Sequence, residues 1–271
     1  MSFARGVAAG TAARLRRRNP GTFREPRLGS RPRDCQPTCR AWFRAPFCGV
    51  RKLVVFARWP RAGAVKSRLS PALPASLACA LYEDMLRDVL QAGRDTAVDE
   101  RWLYFSDAPE PAPSYEPAAG YRPSAQRGAD LGERLERAIE ERLGAGERLV
   151  VIGGDAPELS GATISSAFAG LETHDVSLGP TPDGGYYLLG LPRPVPEILR
   201  GIPWGTDRVL ARTLERAEER HLRVATLEPL EDLDTPADLV RLLIRCYGHP
   251  RACPHTTAGL RRLGLLPEEA R

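Results

Sequence analysis

Short runs of apolar residues alternate along this chain with longer segments in which apolar residues recur every three or four positions. The short runs are rich in β-branched and aromatic residues and are bounded by turn residues, which predicts buried strands. The longer segments have one apolar face and predict amphipathic helices. The predicted strands lie at 53–57, 102–105, 149–152, 175–179, 186–191 and 222–227, and the predicted helices at 75–93, 130–143, 160–171, 206–220 and from about 236 onward.

Strands that alternate with helices in this way predict an α/β fold with a mostly parallel sheet covered by helices on both faces. One pair of strands is an exception. The sequence Asp183-Gly184-Gly185 separates the fourth and fifth predicted strands, and such a turn predicts an antiparallel hairpin. Residues 108–124 are rich in proline and predict a loop.

The first 50 residues differ from the rest in composition. They carry 11 Arg against Glu25 and Asp34, are rich in Pro and Gly, and lack sustained periodicity, so we expect a disordered leader over 1–50. An Arg-rich organelle transit peptide and an upstream extension without a targeting role are the two alternatives for this leader. We expect one globular domain over 52–248, followed by a C-terminal tail over 249–271.

The net charge of +5 comes from the leader, because the remaining 221 residues carry 28 basic and 32 acidic side chains. A mildly acidic domain argues against nucleic acid as a partner. No apolar run reaches the roughly 18 residues of a membrane-spanning helix, so we expect no membrane insertion. The six cysteines have irregular spacings, which predicts reduced thiols and a cytoplasmic location.

The most informative stretch follows the predicted strand at 149–152. Gly153 and Gly154 allow the backbone to bend and to approach a ligand closely, and Asp155 comes directly after them. Parallel strands bring such a residue to the C-terminal edge of the sheet, where open α/β folds bind their ligands. One or two carboxylates suit a Mg²⁺ ion that bridges phosphates. Asp155 as a helix cap is the alternative, although Ser160 is better placed to begin the next helix.

A loop with two cations follows the first predicted strand. Pro60 and Gly63 lie in it, and Gly63 permits a tight turn. Lys66 and Arg68 come next, and these two side chains suit phosphate as a mobile point charge and a bidentate fork. The loop is neither a Walker A loop nor a dinucleotide-binding fingerprint. A solvated basic loop is the alternative.

A second cluster begins the helix predicted at 130–143. Asp130, with Glu133 three residues later, forms a plausible capping box. A capping role for Asp130 and Glu133 does not account for the presence of Gln126 and Gly128 in the same cluster. All of them except Glu133 are therefore candidates for nucleotide contact.

The Gly-Gly turn contains a third candidate group. Asp183 is a candidate for acceptor binding or for base chemistry, and the tandem residues Tyr186 and Tyr187 suit a wall that stacks on a sugar or a base.

The fourth group precedes the last predicted helix. Asp232 and Asp234 are placed to meet a metal held by Asp155. We expect the carboxylates of Asp155 and Asp234 to converge on one ion and to face Lys66 across a cleft. The alternative is that Asp234 or Thr235 simply caps that helix.

As a set, these four clusters resemble the radical-SAM/selenodomain-associated transferase family. Its members are described as glycosyltransferases and belong to the nucleotide-diphospho-sugar transferase superfamily, so the resemblance implies the Rossmann-like, three-layer GT-A fold with a mostly parallel mixed sheet. The match runs in order over residues 52–245. The segment 65–71 also resembles the related 2-phospholactate guanylyltransferases.

The resemblance implies a site and a reaction. Lys66 and Arg68 would hold nucleotide phosphates, and Asp155 and Asp234 would bind Mg²⁺ or Mn²⁺. The implied reaction is glycosyl transfer from a nucleotide-sugar to a small-molecule acceptor. A nucleotidyltransferase that releases pyrophosphate is the enzymatic alternative. A non-catalytic nucleotide-binding module is the second alternative, and the presence of both Asp155 and Asp234 argues against it. The further candidates for nucleotide contact are Pro60, Gly63, Gln126, Gly128, Asp130 and Gly153.

Overall fold

The computed structural model describes residues 49–70, 72–109 and 115–268. The predicted leader lies outside these ranges except for its last two residues. The strands are β1 (Arg51–Arg58), β2 (Glu100–Ser106), β3 (Arg122–Ala125), β4 (Arg148–Gly153), β5 (Val176–Pro180), β6 (Tyr186–Leu191) and β7 (Val224–Thr226). The helices are α1 (Ala75–Arg94), α2 (Leu131–Arg142), α3 (Gly161–Gly170), α4 (Val209–Glu219), α5 (Pro236–Gly248) and α6 (Pro254–Arg262).

The described strands form one sheet in the order β3-β2-β1-β4-β6-β5-β7. Strand β6 runs antiparallel to both of its neighbours, and the other neighbouring pairs are parallel. The predicted hairpin is therefore confirmed as the β5–β6 pair. The parallel strands β1, β2 and β4 place their carboxyl ends at one edge of the sheet, which is where an open α/β fold binds ligands.

Side chains alternate between the two faces of the sheet. In β1, Leu53 and Val55 pack with residues of α1 and α3, whereas Val54 and Phe56 pack with residues of α2 and α4. All four side chains are buried. Helices on both faces of a mostly parallel sheet form three layers, so the predicted α/β fold class is confirmed.

Strand β3 departs from the prediction of a loop through residue 124. It is an edge strand of four residues that pairs with β2, and its register places Pro123 opposite Leu103. Proline is tolerated at an edge because the amide that it lacks has no ladder partner to lose. A strand of four residues that includes a proline is too short to show the alternating apolar pattern by which strands are predicted.

Helix α6 lies in the segment predicted as a tail, and it packs against α1 and α5. Two buried acids of α1 hold it there. Asp88 accepts hydrogen bonds of 2.9 and 2.7 Å from two backbone N–H groups in the first turn of α6, and Asp84 pairs with Arg262. A side chain at Gly259 would overlap the carboxylate of Asp84. The core therefore extends beyond residue 248.

Candidate active site

A cleft of about 560 Å³ opens at the C-terminal edge of the sheet. This volume lies within the range of roughly 300–1,000 Å³ that is usual for small-molecule sites. Five of the charged residues singled out in the sequence line it, and they come from four separate segments: Lys66, Arg68, Asp155, Asp183 and Asp234.

The loop after β1 fixes Lys66 through its neighbours. Val65 and Leu69 are buried, so they anchor the chain on both sides of the lysine. Lys66 itself has left-handed backbone angles, with φ 50° and ψ 32°. Residues other than glycine adopt this conformation at a cost, and they do so chiefly where the surrounding structure holds them. The result is a lysine whose side chain points inward and is only 4% exposed.

Asp155 and Asp234 are brought together by one backbone contact. The N–H of Leu233 donates to the carbonyl of Asp155 over 3.4 Å, which places the two aspartates side by side. Neither of them caps a helix. Ser160 caps α3, and Thr235 caps α5 in a capping box with Asp238.

Lys66 lies between the two carboxylates. Its Nζ is 2.5 Å from Oδ1 of Asp155 and donates to Oδ1 of Asp234 over 3.1 Å, while Nη1 of Arg68 is 3.9 Å from Oδ2 of Asp234. The carboxylates converge as expected from their strands, but Lys66 separates them instead of facing them across the cleft. Burial lowers the pKa of Lys66, but the charges of Asp155 and Asp234 outweigh it and leave that pKa above its ordinary value.

Two further acids add negative charge near this lysine. Burial, followed by the charges of Asp183 and Asp234, raises the pKa of Asp232 to about 6. Asp183 lines the cleft in the β5–β6 turn, where its Oδ1 accepts hydrogen bonds from the hydroxyl of Thr181 and from the N–H of Gly185. Acids therefore outnumber the cations that contact them, which favours a divalent cation.

The β5–β6 turn is locked against the loop before α4. Gly184 has φ 88°, and a side chain there would overlap the backbone of Asp207. The N–H of Leu210 donates to the carbonyl of Gly184 over 2.8 Å. These contacts hold Asp183 in a fixed position at the cleft.

The other end of the cleft is aromatic, but only one of the tandem tyrosines contributes. Tyr186 and Trp204 line the cleft, with their ring centroids 6.1 Å apart in an edge-to-face arrangement. Tyr187 instead packs beneath Gly179 and donates to the carbonyl of Glu228 over 3.0 Å. The aromatic wall therefore consists of Tyr186 and Trp204.

Two of the remaining candidates have structural partners and do not line the cleft. The side-chain amide of Gln126 donates to the carbonyls of Ala57 and Tyr104, at 3.0 and 2.9 Å. Asp130 caps α2 by accepting from the N–H of Glu133 over 2.9 Å. A nucleotide contact stays a prediction for both residues.

The other four candidates are Pro60, Gly63, Gly128 and Gly153, and none of them lines the cleft. Gly63 has φ 80°, which agrees with the tight turn predicted for its loop, and Pro60 precedes it. Gly128 has φ 146°, and Gly153 ends β4. Nucleotide contact by these residues is likewise a prediction.

The Asp155–Asp234 pair has the chemistry of a metal site with few protein ligands. Within the described residues, no three or more His, Cys, Asp or Glu side chains are grouped to hold an ion. Mg²⁺, however, usually takes only one or two carboxylates and completes its shell with water and phosphate. Asp155 and Asp234 are 51% and 45% exposed, which leaves room for such ligands. The pair therefore fits a Mg²⁺ or Mn²⁺ ion shared with a phosphate.

The described part of the chain contains no helix that is long and apolar enough to cross a membrane. Residues 84–206 match a protein family described as "Uncharacterized protein conserved in bacteria (DUF2064)". A crystal structure from Desulfovibrio desulfuricans G20, provisionally described as a nucleotide-diphospho-sugar transferase, is 30% identical. The alignment covers 80% of this chain and 96% of the Desulfovibrio chain, with a TM-score of 0.69.

More distant structures share less with the chain. CMP:2-keto-3-deoxy-manno-octonic acid synthetase in complex with CTP is 16% identical, over 72% of this chain and 97% of its own, with a TM-score of 0.46. Rv0371C of Mycobacterium tuberculosis H37Rv in complex with manganese is 20% identical, over 72% and 98%, with a TM-score of 0.48. No curated protein sequence matches significantly. With 30% identity over 96% of the Desulfovibrio protein, this chain belongs to the same family as that protein, and the DUF2064 match lies inside the same region.

Proposed function

We propose that this protein is a metal-dependent glycosyltransferase that uses a nucleotide-diphosphate-sugar donor and a small-molecule acceptor. The observation that carries the proposal is the meeting of Lys66, Asp155 and Asp234 in one cleft at the C-terminal edge of the sheet. The resemblance to the radical-SAM/selenodomain-associated transferases and the provisional description of the Desulfovibrio relative support the same reaction class.

Each end of the cleft has a part in this reaction. Asp155 and Asp234 would hold Mg²⁺ or Mn²⁺, which supplies charge neutralisation for a diphosphate leaving group when bound. Lys66 and Arg68 add positive charge on the same side, and fixed charges of this kind often contribute more to catalysis than any other effect. Asp183, held by the β5–β6 turn, would orient a hydroxyl group of the acceptor.

Nucleotidyl transfer is the second candidate, and one observation favours it. Arg68 is 74% exposed and still lies 3.9 Å from Asp234, so its guanidinium can bind an additional phosphate in the cleft. A nucleoside triphosphate has that additional phosphate. The resemblance of segment 65–71 to the 2-phospholactate guanylyltransferases points the same way.

Ligand screening followed by product analysis tests the proposal. We expect a nucleotide-sugar with Mn²⁺ to raise the thermal midpoint, because a ligand that binds only the folded state stabilises it. Release of a nucleoside diphosphate identifies glycosyl transfer, and release of pyrophosphate identifies nucleotidyl transfer. Stabilisation by neither class of ligand, with or without Mn²⁺, would contradict both.

Lys66→Ala sharpens this experiment. It removes a charge-assisted contact worth roughly 1.5–3 kcal/mol and should weaken nucleotide binding at least tenfold. Lys52→Ala is the matched control. Lys52, the other lysine of the chain, pairs with Glu147 at 2.6 Å and does not line the cleft. Equal nucleotide affinities in the two variants would remove Lys66 from the phosphate site.

A further inference from the structure

Lys66 takes the place that a shared metal ion needs. Its ammonium nitrogen lies within hydrogen-bond distance of one oxygen from each carboxylate of the Asp155–Asp234 pair. A Mg²⁺ ion binds carboxylate oxygens at about 2.0–2.1 Å. An ammonium group and a divalent ion cannot both lie between the same two oxygens, because their charges repel and their positions coincide.

We propose that Lys66 is a built-in counter-ion that keeps free divalent cations out of the Asp155–Asp234 pair until nucleotide phosphates arrive. The phosphates then offer the ammonium group a new partner, and the two carboxylates are released to the metal. The nucleotide half of this inference rests on the proposed function. The exclusion of free metal does not, and it can be measured without any nucleotide.

The protein holds the ammonium group at this position from several sides. The side chain of Lys66 is 4% exposed, and its Nζ lies 5.9 Å from the centre of the Tyr82 ring, close enough for a cation–π contact. Tyr82 is itself fixed, since its hydroxyl accepts from the N–H of Arg58 and donates to the carbonyl of the same residue. The left-handed backbone of Lys66 adds a further constraint.

Charge explains why nucleotide matters. The two carboxylates alone carry a charge of about −2, and the ammonium group cancels about half of it, which weakens their attraction for a free divalent ion. If phosphate draws the ammonium away, the pair presents its full negative charge to the metal. Metal and nucleotide then strengthen each other's binding, and thermodynamic linkage requires that this strengthening be reciprocal.

Titration of the full chain with Mn²⁺ in the absence of nucleotide tests the inference, with free Mn²⁺ followed by electron paramagnetic resonance. Lys66→Met should bind Mn²⁺ at least about tenfold more tightly than the wild type, within the usual range for coupled sites. Lys52 is the other lysine of the chain and does not line the cleft, so Lys52→Met should bind Mn²⁺ with the affinity of the wild type. Adding Asp155→Asn to Lys66→Met should abolish the gain.

A second variant keeps the test decisive if Lys66→Met fails to fold. The amide of Lys66→Gln can still donate to either carboxylate but has no charge, so it should show the same gain in Mn²⁺ affinity. Unchanged affinity in whichever of these variants folds, judged by circular dichroism, overturns the inference. A wild type that binds no nucleotide contradicts the proposed function and leaves this metal result valid. A nucleotide that raises Mn²⁺ affinity in the wild type, and less in Lys66→Gln, supports both.

Discussion

Two pairs of aspartates in this molecule have opposite surroundings. Asp84 and Asp88 on α1 are buried, and the protein itself supplies their partners, which are two arginines for Asp84 and the first backbone amides of α6 for Asp88. Asp155 and Asp234 are about half exposed, and Lys66 is their closest partner. The first pair attaches a helix, whereas the second keeps an open side toward the cleft.

The two pairs differ in the groups that neutralise their negative charge. A buried charge must be paired within the protein, because its desolvation is otherwise too costly. A half-exposed pair with one removable cation can exchange that partner for a ligand. The first arrangement therefore contributes to stability, and the second is suited to binding.

The largest effect on stability should come from Asp88→Ala. Removing this carboxylate leaves two amides at the start of α6 without their acceptor, in a buried place where an unsatisfied donor is costly. We expect the free energy of unfolding to fall by about 3 kcal/mol in urea denaturation. Mn²⁺ affinity should be unaffected, and a parallel loss of Mn²⁺ binding would mean that the two aspartate pairs are not independent.

Asp155→Asn and Asp234→Asn should have the reverse profile. Each should weaken Mn²⁺-dependent nucleotide binding about 30-fold, equivalent to about 2 kcal/mol, with little change in the free energy of unfolding. The double variant should be little worse than either single one, because both residues act through one shared ion. Additive losses in calorimetric titrations would show that they act separately.

The pH dependence of stability should show a smaller effect, which comes from Asp88 of the buried pair. Burial raises the pKa of Asp88 above its ordinary value of 3.8, although the amides of Thr256 and His255 oppose this. In the window between these two pKa values, the folded state keeps a proton that the unfolded state has released. Stability from Asp88 therefore falls as the pH rises through that window. The unfolding free energy of the wild type relative to Asp88→Asn, measured upward from about pH 4, should decline, and a rising difference would contradict this.

The smallest effect should come from Arg68→Ala. The guanidinium is largely exposed and 3.9 Å from Asp234, so this ion pair contributes less than about 1 kcal/mol to stability. Nucleoside diphosphate binding should weaken only a few-fold in a fluorescence titration. A markedly larger loss with a nucleoside triphosphate would favour nucleotidyl transfer over glycosyl transfer.

Periodicity and parallel strands account for what could be predicted here. The apolar runs located β1, β2, β4 and β7, and the rule that parallel strands end at one edge of a sheet placed Asp155, after β4, and Asp234, after β7, at the same edge. Asp84 and Asp88 escaped notice, because acids on a helix look like a solvated face until another helix covers them. The insertion of Lys66 between the carboxylates was also missed, since local sequence does not specify a side chain's partner 168 residues away.

The scarcity of lysine in this chain has a practical consequence. Of the 39 lysine and arginine side chains, all except Lys52 and Lys66 are arginine, and both lysines are held by carboxylates. An amine-directed reagent therefore finds a single side-chain amine in the cleft, and that amine is shielded while the aspartates hold it. Mass spectrometry of acylated peptides can thus follow the occupancy of the cleft in the unmodified protein, with Lys52 as an internal reference and no engineered label.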